Sequence, residues 1–138
     1  MKIMILNYFS YNGTFHENKS TKSIHDGIKM TEYNNDPFLI GDFKHNKIEF
    51  FDLSHQQWNT ASPYPYQNRI FGYGAVSRPG QVFIIGGCCS HKWSLVSLFE
   101  NDKWSKIGFL NVGRMNFMTI EYGSDIMIFG GRTKNKKP

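Results

Sequence analysis

Apolar residues fall along the chain into short runs that are separated by turn-forming residues. Two pairs of these runs flank a short glycine-containing turn, namely GYGAVS (72–77) with QVFIIG (81–86), and NFMTIEY (116–122) with DIMIFG (125–130). Runs of this length around such turns predict antiparallel β-hairpins. The segments FIIG and MIFG do not alternate polar with apolar residues, which predicts strands that are buried on both faces.

A more regular alternation follows each central run. KIEFFDL (47–53) and WSLVSLFE (93–100) alternate more clearly, and each is followed by a polar turn and a run that contains Trp58 or Trp104. Alternation is typical of strands that have one face toward the core and one toward solvent. The sequence therefore predicts units of four short strands, with the tryptophan-bearing fourth strand nearer the outside.

Three landmarks repeat at nearly the same interval. Gly41 lies 45 residues before Gly86, Gly86 lies 44 residues before Gly130, and Trp58 lies 46 residues before Trp104. A fixed period of this length indicates a repeat architecture in which each unit packs on its neighbours.

The recurring residues have a structural interpretation. Gly86-Gly87, Gly130-Gly131 and the earlier Gly41 end a central strand, where a residue without Cβ permits a sharp turn and a close approach of backbones. The tryptophans are expected to fill the gap between neighbouring sheets. Arg69 and Arg114 recur in register before the glycines, so we expect them to hold the crossing between units.

These residues carry a resemblance to a known family. The stretches FIIGG, WSLVSLFENDKW and GRMNFMTIEYGSDIMIFGG resemble the kelch repeat, the four-stranded blade of a β-propeller. The resemblance covers residues 69–131 well and residues 22–65 loosely, where Asp42 replaces the second glycine. It implies an all-β fold of four-stranded antiparallel kelch-type blades, arranged as an incomplete β-propeller.

The resemblance divides the chain into five parts. They are an unassigned N-terminal segment at 1–21, a divergent blade at 22–65, a full blade at 66–112, the first half of a further blade at 113–131 and a basic disordered tail at 132–138. Strands of a preceding blade are one interpretation of the N-terminal segment. Propellers close with about four to eight blades, so this inventory leaves strand edges and sheet faces open. We expect a fragment of a longer kelch protein, with self-association of copies into a ring, or an open stack, as alternatives.

Charge adds little to this interpretation. The chain of 138 residues carries a formal charge of +5, but Arg132 and three lysines among the last seven residues supply four of these charges. No aromatic residue is interleaved with the basic tail to stack on bases, so nucleic acid is not expected as a partner. The N-terminal apolar run is broken by Asn7 and is too short to span a membrane, so no membrane partner is expected either.

Features that bear on the compartment point in opposite directions. Adjacent Cys88 and Cys89 form no disulfide framework, and the N-terminus is a poor signal peptide, which favours a reducing compartment. Asn12 and Asn18 each begin a glycosylation sequon, which matters only in a secreted chain. The balance leans slightly toward the cytoplasm.

The sequence offers no convincing catalytic constellation. No two of the five histidines have ligand spacing, and Cys88, Cys89 and His91 lack a fourth metal ligand. The aspartates mostly fall at turns, where their side chains cap backbone N–H groups. The resemblance also admits copper-radical oxidases related to galactose oxidase, whose ligands have no match in this chain. We expect a non-enzymatic protein-interaction module without catalytic residue, cofactor or metal site, with a fragment of such a propeller enzyme as the alternative.

Partner binding is expected on loops. In kelch proteins, partners usually dock on the loops that follow the second and fourth strands, which implies two loop sets in this chain. The first includes His45, His91 and Lys92, shortly after the glycine positions, and the second offers Tyr64 and Tyr66 as aromatic anchors. Packing of both tyrosines against the sheet is the alternative. The expected partner is a protein of unknown identity.

Overall fold

The architecture is built from β-strands. The computed structural model describes residues 5–9, 15–21, 29–41, 46–66, 70–88 and 93–133, and for residues 5–20 it describes the backbone alone. Every helical or strand element in these ranges is a strand, and none of the ranges contains a helix long and apolar enough to cross a membrane. The strands are β1 (Ile5–Phe9), β2 (Phe15–Ser20), β3 (Lys29–Tyr33), β4 (Asp36–Ile40), β5 (Ile48–Asp52), β6 (Gln57–Ala61), β7 (Gly74–Arg78), β8 (Gln81–Ile85), β9 (Leu95–Glu100), β10 (Lys103–Phe109), β11 (Arg114–Met115), β12 (Met118–Tyr122), β13 (Asp125–Phe129) and β14 (Arg132–Thr133).

Eight of these strands form two antiparallel sheets in which consecutive strands are neighbours. Blade 1 has the order β3-β4-β5-β6, and blade 2 has the order β7-β8-β9-β10. Strands β12 and β13 form a hairpin, the half blade, in which Met118 lies opposite Phe129 just as Gly74 lies opposite Ile85 in blade 2. The predicted all-β fold of four-stranded antiparallel blades is confirmed.

The first strands of successive units lie side by side. Strand β3 contacts β7, and β7 contacts β12. Apolar side chains of the two blades form a common core, which contains Phe38, Ile40, Tyr73, Val82, Ile84 and Phe99. A second cluster of Phe83, Ile85 and Phe117 joins blade 2 to the half blade. Each unit therefore buries its apolar surface against the next one rather than within itself.

The two central apolar runs differ in burial. Strand β8 is buried on both faces, with Ile84 at 0% exposure on one face and Ile85 at 3% on the other, as its sequence predicts. The same prediction is wrong for β13, in which Met127 is 38% and Phe129 is 55% exposed. Only one face of the half blade packs against blade 2, so the other half of this apolar run stays in contact with solvent.

A short strand pair follows the half blade. Arg132–Thr133 (β14) pairs with Arg114–Met115 (β11). The basic tail predicted from residue 132 is corrected at these two residues, because backbone pairing gives them a strand structure. Residues 134–138 lie outside the described residues, and the prediction for them stays a prediction.

Candidate interaction face

The loops that follow the second and fourth strands meet on one side of the stack. An antiparallel four-stranded sheet brings these loops to the same edge, together with the segment that enters the next first strand. We define the loop face as the described residues of these segments together with the last residue of β10, which are 41, 46–47, 62–66, 70–73, 86–88, 93–94, 109–117 and 130–133.

Backbone hydrogen bonds join the loops of blade 2 to the chain that enters the half blade. The N–H of Gly87 donates to the carbonyl of Arg114 over 3.0 Å, and the N–H of Arg114 donates to the carbonyl of Trp93 over 3.0 Å. The N–H of Leu110 donates to the carbonyl of Ser94 over 2.7 Å. These bonds satisfy backbone groups that would otherwise need water, and they fix the loops to one another.

The same joint recurs one repeat later. Phe71 pairs with Cys88 as an isolated bridge, and Met115 pairs with Arg132, each position lying 44 residues further along the chain. Recurrence at a fixed interval indicates a scaffold contact, since a binding contact has no reason to be copied in every unit.

The paired glycines turn the chain where this joint forms. Gly86 and Gly87 have φ angles of 59° and 94°, in the left-handed region that favours glycine. A Cβ added to Gly87 would lie 2.8 Å from the Cβ of Tyr73, and one added to Gly131 would lie 2.7 Å from the Cβ of Phe117. Tyr73 and Phe117 occupy equivalent positions, so an aromatic residue crosses the second glycine of both pairs.

At the glycine that directly follows the second strand of each complete blade, crowding comes from the next unit. A Cβ added to Gly41 would lie 3.1 Å from Cγ2 of Ile70, and one added to Gly86 would lie 2.7 Å from the carbonyl oxygen of Arg114. At Gly130 an added Cβ would meet no atom of the described residues within 4 Å. The close approach therefore accompanies the arrival of a following unit.

Arg114 serves both its own unit and the preceding one. Its backbone bonds to Gly87 and Trp93 of blade 2, while its Nη1 donates to the carbonyl of Gly130 over 2.8 Å. The bonds to the preceding unit are made by the backbone of residue 114, whereas the arginine side chain bonds within its own unit, so the expected role of Arg114 at the crossing between units stays a prediction. Arg69, the counterpart of Arg114, lies outside the described residues.

Trp104 closes the gap between the two blades. Its Nε1 donates to the carbonyl of Ser62 over 2.9 Å, and the carboxylate of Asp102 accepts the N–H of Ser62 over 2.8 Å. The indole ring meets Tyr64 edge-on, with ring centroids 5.0 Å apart. The preceding Asn101-Asp102 turn has positive φ at both residues, which is typical of a tight hairpin. This turn places the side chains of Asp102 and Trp104 beside Ser62.

Trp58 holds the equivalent position in blade 1 but faces away from blade 2. It is 3% exposed and packs with Leu39 and Phe51, the Phe51 and Trp58 ring centroids lying 5.2 Å apart. Each tryptophan therefore packs on the face of its blade that is directed toward the preceding part of the chain.

Tyr64 is a core residue. Its side chain is 2% exposed, and its hydroxyl lies 3.0 Å from the hydroxyl of Ser97 in blade 2. Burial raises the pKa of Tyr64 to about 12, because the charged phenolate is disfavoured away from water. The expected partner contact at Tyr64 is therefore corrected to packing between the blades, since a side chain so enclosed does not reach a partner.

Tyr66 lies nearer the surface and is half-buried. Its hydroxyl donates to the carbonyl of Trp104 over 3.0 Å, and the ammonium of Lys106 lies 4.7 Å from the centroid of its ring. A partner contact at Tyr66 stays a prediction. Three other predicted contact residues lie outside the described residues, namely His45, His91 and Lys92.

Two of the described aspartates bind backbone groups at the turns of blade 1. Asp36 accepts the N–H of Leu53 over 3.1 Å, and Asp52 accepts the N–H of His55 over 2.9 Å. The hydrogen bond from the His55 N–H lowers the pKa of Asp52. Within the part of the chain that the structure describes, no group of three or more His, Cys, Asp or Glu side chains converges as a metal site would require.

Sequence reasoning missed two exposed apolar residues at the loop face. Phe109 ends β10 and is 66% exposed, and Val112 in the following loop is 51% exposed. Leu110 between them is half-buried against the second cluster. The available signal was the apolar run FLNV, which continues past the end of an outer strand where little core remains for it to join.

Comparison with known proteins agrees with this architecture. The chain is 28% identical over 95 residues to an F-box/kelch-repeat protein of Arabidopsis thaliana, covering 64% of this chain and 25% of that protein. It is similar to the solved structure of YjhT, with a TM-score of 0.78 and 16% identity, over 95% of this chain and 46% of that one. No protein-family model matches the chain. The chain thus spans about a quarter of the length of its curated relative and just under half of the solved chain.

Proposed function

From the kelch-type propeller fold of this chain, we propose that it is a protein-interaction module that binds its partner through the loop face and performs no catalysis. Loops carried by a rigid sheet are a common place for binding, because the sheet holds them while their side chains vary freely. The description of the Arabidopsis relative as a kelch-repeat protein supports the proposal.

One observation carries the proposal: equivalent positions of the loop face share a backbone arrangement but present different side chains. Five and eight residues after the tryptophan, blade 1 has Pro63 and Tyr66, whereas blade 2 has Phe109 and Val112. The backbone bonds that fix these loops leave Phe109 and Val112 exposed to solvent. Variation on a repeated scaffold is what recognition of a specific partner requires.

The exposed groups indicate the chemistry of the partner. Phe109 and Val112 offer apolar contact, and the exposed Asn111 and Asn116 offer amide donors and acceptors in the same connecting segment. An apolar centre with a polar rim is typical of protein interfaces. We infer a partner segment that inserts an apolar side chain between Phe109 and Val112 and pairs its backbone with the two amides.

Peptide selection tests the proposal. Peptides displayed on phage are selected against the immobilised 138-residue chain, and their affinities are then compared among Phe109→Ala, Val112→Ala and Leu53→Ala. Leu53 is a matched control because it is 42% exposed in the turn between β5 and β6, at the opposite ends of the strands. We expect each loop-face variant to lose about tenfold or more in affinity and Leu53→Ala about twofold or less.

Two outcomes contradict the proposal. Peptides whose affinity falls with Leu53→Ala but not with Phe109→Ala would place binding at the turns on the other side of the blades. Copper or zinc bound stoichiometrically to the purified protein, with turnover that depends on the metal, would replace the interaction module by an enzyme.

A further inference from the structure

The half blade presents an apolar face to solvent. Its exposed face carries five large apolar side chains, which are Met118 (76% exposed), Ile120 (53%), Tyr122 (69%), Met127 (38%) and Phe129 (55%). In the register of the hairpin these residues project to the same side, and the opposite side packs against blade 2 through Ile126 and Ile128. A contiguous apolar patch of this kind marks a surface that packs against something.

The equivalent face of blade 2 shows what such a surface receives. The positions 44 residues earlier than Met127 and Phe129 are Phe83 and Ile85, and both are buried against Phe117 of the following unit. The Thr119 hydroxyl also reaches the carbonyl of Ala75 over 3.3 Å. The open face of the half blade is equivalent to the face of blade 2 on which the half blade packs. Because the units repeat, another unit fits on this open face in the same way.

The half blade also has an open edge. The second strands of the complete blades, β4 and β8, are bonded on their far side to the third strands β5 and β9. Among the described residues, β13 is paired with β12 alone. An exposed apolar strand with free backbone groups is a template for another strand.

The N-terminal hairpin of β1 and β2 has the register of a third and fourth strand. In blades 1 and 2, the aromatic residue near the end of the third strand lies opposite the tryptophan of the fourth, in the pairs Phe51 with Trp58 and Phe99 with Trp104. In the N-terminal hairpin, Phe9 lies opposite Phe15. Phe15 also precedes Gly41 by 26 residues, the interval by which Trp104 precedes Gly130.

Spacing to the next unit agrees with this assignment. Strand β2 ends nine residues before β3 begins, and β10 ends nine residues before β12 begins. The chain therefore holds a first-and-second-strand half at one end and a third-and-fourth-strand half at the other. These two halves are complementary parts of one four-stranded blade.

We propose that two copies of this chain close a six-bladed propeller, in which β13 of each copy pairs with β1 of the other to form a composite blade. The described strands of each copy amount to three blades, so two copies give six, whereas three copies would give nine, beyond the usual four to eight. The chain matches 46% of the solved YjhT chain, so that chain is about twice as long as the part that this chain matches. Two identical contacts in a closed pair leave neither half blade with an open edge at its central strand.

Blade 2 supplies the register of the composite blade. Phe99 lies opposite Val82, four residues before Gly86. The equivalent pairing places Phe9 of one copy opposite Ile126 of the other, since Ile126 lies four residues before Gly130. Continuing antiparallel, Tyr8 lies opposite Met127. This inference stands independently of the proposed partner at the loop face.

Light scattering of the 138-residue chain tests the proposal. We expect a discrete species of twice the 16.0 kDa chain mass that dissociates on dilution without forming larger species. Phe129→Lys is expected to convert it to a monomer, because the lysine would bury a charge in the composite blade. Phe109→Lys is the matched control: it makes the same change at a similarly exposed phenylalanine of blade 2 and should leave the dimer intact.

Cross-linking tests the register. Tyr8→Cys and Met127→Cys are placed on separate chains, in a background of Cys88→Ser and Cys89→Ser, and the two proteins are refolded together and oxidised. We expect a disulfide-linked dimer in the mixture and none from either variant alone, because position 8 of one copy meets position 127 of the other.

Several outcomes would overturn the proposal. A monomer at all concentrations would mean that following strands of a longer chain, not a second copy, cover the half blade. Assemblies that keep growing with concentration would show that the ring does not close. Loss of the dimer in Phe109→Lys but not in Phe129→Lys, or a dimer that does not cross-link in the mixture, would place the contact elsewhere.

Discussion

Blade 2 and the half blade use nearly the same central strand in different surroundings. Strand β8 contains VFII and β13 contains IMIF, each followed by two glycines. In β8 all four apolar residues are buried, whereas in β13 Met127 and Phe129 are exposed and only the alternate residues pack. The difference teaches that burial of a strand in this fold is decided by the units on its two sides, because a sheet has two faces and its own hairpin covers neither.

Glycine geometry repeats the lesson at the level of single atoms. Gly86 and Gly130 have similar φ angles of 59° and 70°, so both need a residue that tolerates the left-handed region. Only Gly86 is also crowded, by the carbonyl oxygen of Arg114. The backbone conformation is local to the repeat, and the close approach belongs to the contact between repeats.

Removing an equivalent side chain from each unit gives the largest expected effect. Phe83→Ala should lower the free energy of unfolding by about 3 to 5 kcal/mol, because it leaves a cavity between blade 2 and the half blade. Met127→Ala, at the equivalent exposed position, should cost about 1 kcal/mol or less when urea unfolding is measured at low protein concentration. Equal losses would contradict the comparison. A loss at Met127 that grows with protein concentration would show that a second copy covers the face.

Adding a methyl group at the first glycine separates strain from crowding. Gly86→Ala should cost about 3 kcal/mol or more, because left-handed strain of about 1 to 2 kcal/mol adds to a clash with the Arg114 carbonyl. Gly130→Ala should cost about 1 to 2 kcal/mol, the strain alone. Denaturant unfolding of both variants at low protein concentration measures the difference. If Gly130→Ala proved as costly as Gly86→Ala, the crowding would not depend on the following unit.

Alkaline pH should loosen the contact between blades 1 and 2. The raised pKa of Tyr64, about 12, means that the neutral phenol is stabilised in the folded chain. This stability is fully present below pH 10 and is lost as the pH rises toward and past 12, by about 2 to 3 kcal/mol. Leu110 holds the equivalent position beside the half blade, six residues after its tryptophan, and does not titrate.

Tyr64→Phe tests the assignment of this pH dependence. The free energy of unfolding of the variant should fall less between pH 10 and 12 than that of the unmodified chain. Tyr73→Phe serves as a comparison, because burial also raises the pKa of Tyr73, whose hydroxyl donates to the Ile40 carbonyl. An identical pH profile in Tyr64→Phe would remove Tyr64 as a source of the effect.

Local pattern was enough to predict the strands and their order. The hairpins, the glycine turns and the alternation of the outer strands are properties of residues close together in the chain, so the all-β fold and the blade unit followed from them. The same local reasoning left a partner contact and packing against the sheet as alternatives for Tyr64, because a tyrosine between two prolines in a loop has no local sign of burial. Its partners Ser97 and Trp104 lie more than thirty residues away.

The sequence by itself therefore determined the repeat, the strands within each unit and the positions that only glycine tolerates, because all of these depend on backbone conformation and short-range pattern. Only the tertiary structure decided which apolar faces are covered, that Tyr64 packs between blades and that Phe109 and Val112 stand exposed. The physical reason is that burial is a property of two units in contact, and the geometry of that contact is set by residues a whole repeat apart.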